Sequence, residues 1–449
     1  MRKKVDLTMF SNLDLRLLIL PLVGEQILNV AVGMADTMMI APAGEAAVSG
    51  ISLVNTICNL FLFCFTALAT GGAVVASQYL GKKDHHSACR SADQLLISCT
   101  FIGIVLMIIS LLFNGHILNL IYGSVDHTVM NNAILYYYIV ALSFPFLAIY
   151  NVCAALFRAM NNSQISLNAS LAMNVVHIIG NALLIYVFKM GVAGVAISNL
   201  LSRVFVAVLM IMKMNNQSLV LHITKPFDFK PDFKLIKNIL RIGIPNGLEN
   251  SMFQVGKLLT QSLISSFGTA AIAANAVASN LEPLIAMPAT AVSLSMVTVV
   301  GQCVGAGEYK QAKGYVFKLI KISYLSLLGL DTLIAMASPF ILKLYNLQPQ
   351  SNQYAQTIIL CYCIIAICIY PLSFALPSAL RAAGDVRYTM CSSISSMWLF
   401  RITLSFVYGR VLGLGVVGVW FAMYTDWLVR SILYVIRFRS GKWMNKAVV

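Results

Sequence analysis

Charge is what this chain has least of. Only 10% of its 449 residues are charged, 16 acidic and 31 basic, whereas a soluble domain carries about 25%. So few charges cannot hydrate the surface of a water-soluble body of this size. The apolar excess, 59% of residues with a mean hydropathy of +0.82, must face lipid. Alternating segments of about ten residues, the mark of a membrane β-barrel, are missing, which leaves helices as the spanning element. The ten cysteines contain no CxxC pair and no metal-ligand spacing, and read as small packing residues within spans. No HExxH, nucleophile elbow or metal cluster occurs. An enzyme is therefore not expected, and neither is a cofactor or a resident metal.

What is present is a series of apolar stretches near 15–40, 48–78, 90–113, 132–157, 165–188, 191–213, 240–267, 270–302, 314–339, 355–380, 388–411 and 415–436. Each approaches or exceeds the roughly 20 residues that a bilayer core of about 30 Å requires. The first is too long and too polar for a cleaved signal peptide, carrying Glu25, Asn29 and Asp36 behind Arg2-Lys3-Lys4. With twelve spans, the basic clusters fall on the side of the N-terminus: Lys82, Lys83 and Arg90; Arg158; Lys225 to Arg241; Lys310 to Lys321; Arg381 and Arg387; Arg437 to Lys446. The opposite loops hold little beyond Lys189, Lys343 and Arg410. This asymmetry predicts a multi-pass protein of the plasma (inner) membrane with both termini cytoplasmic. The net charge of +15 is thereby explained by topology, and no nucleic acid is expected as a partner. The expected partners are a small-molecule substrate and membrane lipids, with the chain a monomer.

The chain repeats itself. A shift of 224 residues places Pro21 on Pro245, Glu25 on Glu249, Gly44 on Gly268, Thr66-Ala67 on Thr290-Ala291, and Gln78 and Gly81 on Gln302 and Gly305. It also pairs Gly191 and Gly194 with Gly415 and Gly418, and nearly pairs Arg158 with Arg381. Two like-oriented halves of six helices are expected, related by a pseudo-twofold axis along the membrane normal: an N-lobe of 1–214, a basic cytoplasmic linker of 215–238 with Pro226 and Pro231, and a C-lobe of 239–449. Such repeats suit alternating access.

Ionisable residues inside spans are costly and are functional candidates. Glu25, Asn29 and Asp36 share one face of the first span, with Glu25 and Asp36 about 16 Å apart along its axis. A buried carboxylate at Asp36 can bind Na⁺ transiently or hold a proton. The fifth span carries a polar stripe of Ser170, Asn174, His177 and Asn181. It reads as ion ligands or as interhelical hydrogen-bond glue. Glu249 and Lys257 in the seventh span suit an internal pair or a bracket around substrate. Arg401 falls on His177 under the shift, and Thr260 on Asp36, so the two lobes are chemically unequal. Met34 and Met287 suit a flexible apolar cleft. Asp426 and Arg430, four apart, read as a cytoplasmic-side anchor. Asp331 stands alone in an apolar run with no assigned role.

Several of these stretches resemble the multidrug and toxic compound extrusion (MATE) family. They are Gly33-Met-Ala-Asp36-Thr-Met-Met; Gly44-Glu-Ala-Ala-Val-Ser-Gly50; the paired span ends Gln78-Tyr-Leu-Gly81 and Gln302-Cys-Val-Gly305; Arg158-Ala-Met and Arg381-Ala-Ala-Gly384-Asp; and the turns Gly191 to Val195 and Gly415 to Trp420. The resemblance implies twelve helices in two lobes and export of amphipathic, often cationic, compounds in exchange for Na⁺ or H⁺. Its coupling aspartate in the first span corresponds to Asp36. Where some branches carry a span 5 aspartate with an asparagine one turn earlier, this chain has Asn181 and His177. A span 10 aspartate found in the NorM branch has no counterpart here.

The expectation is thus an all-α polytopic antiporter. Asp36, Asn181, His177 and Asn174 would couple the cation, and Glu25, Asn29, Met34, Glu249, Lys257, Met287 and Arg401 would line the substrate cleft. The alternative is a lipid-linked oligosaccharide flippase of the same superfamily, for which a more cationic cavity is expected. A passive channel would carry solute without an ion gradient.

Overall fold

The computed structural model describes residues 9–40, 44–123, 125–224 and 230–449, apart from the side chains of Met34, Thr37 and Met38. The Arg2-Lys3-Lys4 cluster, Lys225, Pro226 and the side chain of Met34 lie outside the described residues. Twelve helical segments follow one another: α1 (Asn12–Ile40), α2 (Glu45–Gly81), α3 (His85–Tyr122), α4 (His127–Ala141 and Phe144–Ala159), α5 (Ser163–Val187), α6 (Gly191–Met214), α7 (Phe233–Ser265), α8 (Thr269–Gly305), α9 (Tyr309–Leu344), α10 (Pro349–Ala382), α11 (Val386–Val411) and α12 (Gly415–Arg439). Among the described residues, ten are long and apolar enough to cross a membrane, and the two halves of α4, bent by 53°, make an eleventh span. The twelfth, α7, falls short on apolarity because Lys234, Lys237, Arg241, Glu249 and Lys257 interrupt it. The twelve-helix architecture expected from hydropathy is the one observed.

The repeat is written into the backbone. Gly44 opens α2 at φ +97° and Gly268 opens α8 at φ +94°; Gly191 and Gly415 precede α6 and α12 at +53° and +56°. L side chains pay for these left-handed conformations and glycine does not. That cost explains why these glycines match under the shift while their apolar neighbours drift.

Arg16–Ile244 form one compact unit; Pro245–Val449 form the other, together with the segment ending at Leu15. Both divisions fall inside helices, α1 and α7. In the first unit α2 packs on α3 and on both halves of α4. Gly71 of α2 is where α7 begins to pack: a Cβ there would lie 2.8 Å from the Ile239 carbonyl oxygen and 2.9 Å from the Gly243 nitrogen. The approach of the linker is held by α3. Gln94 donates to the Lys230 carbonyl at 2.9 Å and accepts from the Asp232 N–H at 3.0 Å, and Arg90 lies 3.5 Å from Asp232. In the second unit α8 packs on α9 and α10. Its core is aromatic: Tyr362 sits edge-on to Trp420, Tyr424 and Trp427, with centroids 5.4–6.3 Å apart, a geometry that the ring quadrupoles favour.

Candidate cation site

Helices α1 and α5 bring three of the four cation-coupling candidates together. His177 and Asn181 are one turn apart on α5, so both face α1. His177 Nε2 lies 3.0 Å from Asp36 Oδ1, Asn181 Nδ2 donates to the same oxygen at 3.4 Å, and Asn181 and His177 are 3.3 Å apart. Asn174, one turn earlier, instead donates to Ser170 Oγ at 3.5 Å. The Asp36 side chain is 32% exposed against 9% for His177. A carboxylate with an open side thus backs onto a buried imidazole.

Ser198 of α6 completes the shell. Its Oγ donates to the His177 carbonyl at 2.7 Å and lies 3.4 Å from Nδ1. With its single proton on the carbonyl, a lone pair faces Nδ1 and can accept from an imidazolium. With the proton turned to Nδ1, the neutral ring is satisfied. Ser198 can therefore serve Nδ1 as acceptor or as donor. Asn181 Oδ1 is buried and, among the described residues, has no hydrogen-bond partner. A buried amide oxygen without a donor is costly, and beside a carboxylate it is a ready ligand for a hard monovalent cation.

The other candidates do not form one cluster. Glu25 is ion-paired to Arg158 at 3.7 Å and accepts from Ser166 Oγ at 3.0 Å. Glu249, its repeat partner, is paired to Arg381 at 3.3 Å. Lys257 meets Glu282 at 3.5 Å, so of the two readings for Glu249 and Lys257 the internal pair is not formed, and each meets a residue of another helix. Asn29 is exposed, Met287 is buried in α8, and Arg401 lies over the Phe253 ring at 5.4 Å. Asp426 and Arg430 do pair, at 2.9 Å, but at 0% and 2% exposure. They are a buried junction with Ser396 and Phe253, not an interfacial anchor. Asp331 is 0% exposed and, among the described residues, neither carboxylate oxygen has a partner.

Sequence reasoning missed Ser198, and also Arg203 of α6, which donates to Ser143 Oγ at 2.7 Å. It missed a further chain in which Asn199 donates to Tyr136, and Tyr136 to Asn55. Arg203 interrupts an apolar run, so the rule that found Asp36 would have found it. Ser198 and Asn199 carry no such signal, because small polar residues are common in membrane helices.

The family model MatE matches residues 21–183 and again 245–407. The chain belongs to the MatE family. The two matches in one chain are the sequence repeat described above, and members of the family are multidrug efflux transporters rather than enzymes. Among curated relatives, this MatE chain is 26% identical to the uncharacterized transporter YisQ of Bacillus subtilis, over 95% of this chain and 94% of that one. It is 25% identical to the probable multidrug resistance protein NorM of Thermotoga maritima, over 96% and 93%. Among solved structures it resembles an outward-facing multidrug resistance MATE transporter (TM-score 0.90, 17% identity, 96% of both chains). It also resembles a MOP superfamily transporter from Pyrococcus furiosus described as having a binding pocket of reverse polarity (TM-score 0.89, 17% identity, 97% and 96%). At these identities the structures speak for the fold alone.

Proposed function

We propose that this MatE protein is a secondary antiporter that exports amphipathic small molecules in exchange for Na⁺ or H⁺, with the ion taken up at Asp36. The observation that carries the reading is the grouping of a one-third-exposed carboxylate with a buried imidazole and a buried amide oxygen that has no donor among the described residues. A proton would reside on His177 or Asp36; Na⁺ would take Asp36 and Asn181 Oδ1. Exchange requires that ion and cargo prefer different states of the protein. One monovalent ion crossing about 100 mV releases about 2.3 kcal/mol, equivalent to roughly a 50-fold gradient of an uncharged cargo. Placement in the plasma membrane with both termini cytoplasmic follows from the distribution of Lys and Arg, and the expected cationic cargo from the family. Among the basic residues inside the spans of the second unit, Lys257, Arg381 and Arg430 each meet a carboxylate and Arg401 does not; one such cation falls short of the more cationic cavity expected of an oligosaccharide flippase.

The test uses proteoliposomes loaded with ethidium as the amphipathic cation, with Na⁺ and H⁺ gradients imposed separately. One gradient is expected to drive ethidium movement, and Asp36→Asn to reduce it at least tenfold. His177→Gln is expected to be equally damaging if the driving ion is H⁺, and milder if it is Na⁺. Undiminished gradient-driven transport by Asp36→Asn removes the site from the mechanism.

A further inference from the structure

The second unit contains the same site with its acid removed. Arg401 of α11 occupies the repeat position of His177, and Thr260 of α7 that of Asp36. In the first unit the base faces a carboxylate at 3.0 Å. In the second, the Thr260 hydroxyl turns back to the carbonyls of Gly256 and Lys257 at 3.1 and 2.9 Å, and among the described residues no carboxylate lies within 4 Å of Arg401. Arg401 is 7% exposed. Among the described residues, its Nη2 donates to the Met423 thioether at 3.3 Å and its buried Nε has no partner. The neighbouring Arg430 differs, being neutralised by Asp426 at 2.9 Å. Asp426 and Glu282 attract Arg401 only from a distance, and a buried cation without a carboxylate in contact is costly.

The surroundings are arranged around that charge. Arg401 lies within a π-helical turn, Met397–Ile402, a local distortion frequent at functional sites. Helix α7 approaches this turn at Gly256, where a Cβ would lie 2.6 Å from Met397 Sδ. Phe253, Gly256, Lys257 and Thr260 share that face of α7 by their spacing. Phe253 offers an aromatic wall to Arg401 and to Arg430, at 5.4 and 5.0 Å. At the exposed edge, Lys257 is 44% exposed and only loosely paired to Glu282 at 3.5 Å.

We propose that Arg401 is the receptor for an acidic group, carboxylate, phosphate or sulfonate, on the exported amphiphile. The ligand supplies the counter-charge that Asp36 supplies to His177. The guanidinium fork suits a two-oxygen acceptor, Phe253 and Met423 contact the cargo's apolar part, and Lys257 provides a second cation at the entrance. This rests on the export reading and refines its cargo, which carries an acid beside its positive nitrogen.

The test is binding of dansyl-glycine against its methyl ester, read by dansyl fluorescence, to protein in phosphatidylcholine nanodiscs. No gradient is needed, so the outcome is independent of the antiport assay; absence of gradient-driven ethidium transport by the unmodified protein would sink the export reading instead. The acid is expected to bind at least tenfold tighter than the ester. Arg401→Met is expected to bring the ratio to within twofold, and Arg401→Lys to retain part of it. Should Arg401→Met fail to fold, Thr260→Asp keeps the charge and restores the missing acid, and is expected to abolish the preference by occupying the guanidinium. Equal binding of acid and ester, or a preference surviving both Arg401→Met and Thr260→Asp, overturns the proposal. Displacement by inorganic phosphate, or by phosphatidylglycerol in the nanodisc, as effective as by an unlabelled amphipathic acid would also overturn it, by assigning the site to a free anion or a lipid headgroup.

Discussion

Four ion pairs in this protein span a range of burial wide enough to order their energies. Asp426–Arg430 lies at 2.9 Å with side chains 0% and 2% exposed. Glu249–Arg381 lies at 3.3 Å and Glu25–Arg158 at 3.7 Å, with each glutamate 9% and each arginine about 15% exposed. Lys257–Glu282 lies at 3.5 Å at 44% and 26%. Distance cannot rank them. At an effective dielectric of about 20, Coulomb's law gives roughly 5.7 kcal/mol at the shortest separation and about 4.5 at the longest. Desolvation decides, because removing one partner of a fully buried pair strands the other. Asp426→Asn is therefore expected to cost about 3–5 kcal/mol, more so because Asp426 also accepts from Ser396 Oγ at 2.6 Å. Glu249→Gln and Glu25→Gln should each cost about 2–3 kcal/mol, the range for hydrogen bonds to charge with some water access. Lys257→Met should cost no more than about 1 kcal/mol. At roughly 2–4 °C per kcal/mol for a unit of this size, Asp426→Asn should unfold on the order of 10 °C early. Thermal unfolding of purified protein in detergent reads this directly. Trp398, Trp420, Trp427 and Trp443 are the chain's four tryptophans and all lie in the second unit, so their fluorescence reports on Asp426 and Glu249. Glu25 requires circular dichroism. The double variant Asp426→Asn/Arg430→Met should recover more than half of the loss. Equal costs for all four pairs, or the largest cost at Lys257, would refute the argument from burial.

Three further outcomes follow from geometry. Gly71→Val should destabilise by about 1–3 kcal/mol, measured by thermal unfolding, because the new side chain meets α7 backbone rather than a movable side chain. Asp331→Leu should leave stability unchanged or raise it by about 1–3 kcal/mol, since it removes a buried carboxyl with no partner; a fall would mean that the group is satisfied by something else. Asp84 caps α3, and its bonds from the Ser87 side chain and N–H hold its carboxyl below the ordinary value of 3.8. A depressed folded value stabilises above the unfolded one, and that contribution is lost as pH falls through the folded value. Thermal scans from about pH 5 to pH 3 should accordingly drop more for the parent than for Asp84→Asn.

The helices were legible in the sequence because lipid imposes a blunt code. Twenty apolar residues must span, and every observed helix overlaps its hydropathy stretch. Even α7, interrupted by charges, was legible as the stretch 240–267, and the repeat aligns it with α1. Site residues were legible where a charge stood in an apolar run, as with Asp36 and Glu249. Their partners were not. Whether Glu249 meets Lys257 two turns along its own helix or Arg381 on α10 depends on which face packs, and no spacing rule contains that information. Asn174 and Asn181 look alike on the α5 stripe, yet only Asn181 reaches Asp36, because their depth along α1 decides the contact.

The boundary between the two units runs through α1 and α7 instead of through the linker. Severing the polypeptide among residues 215–232 would therefore not yield two self-sufficient pieces. The upstream fragment would lack the opening turns of α7, which Gly71 is shaped to receive. The downstream fragment would lack Phe10, whose N–H and carbonyl both bond the Tyr315 hydroxyl at 2.7 and 2.8 Å. Each fragment would be left with a prepared contact surface and no chain to fill it.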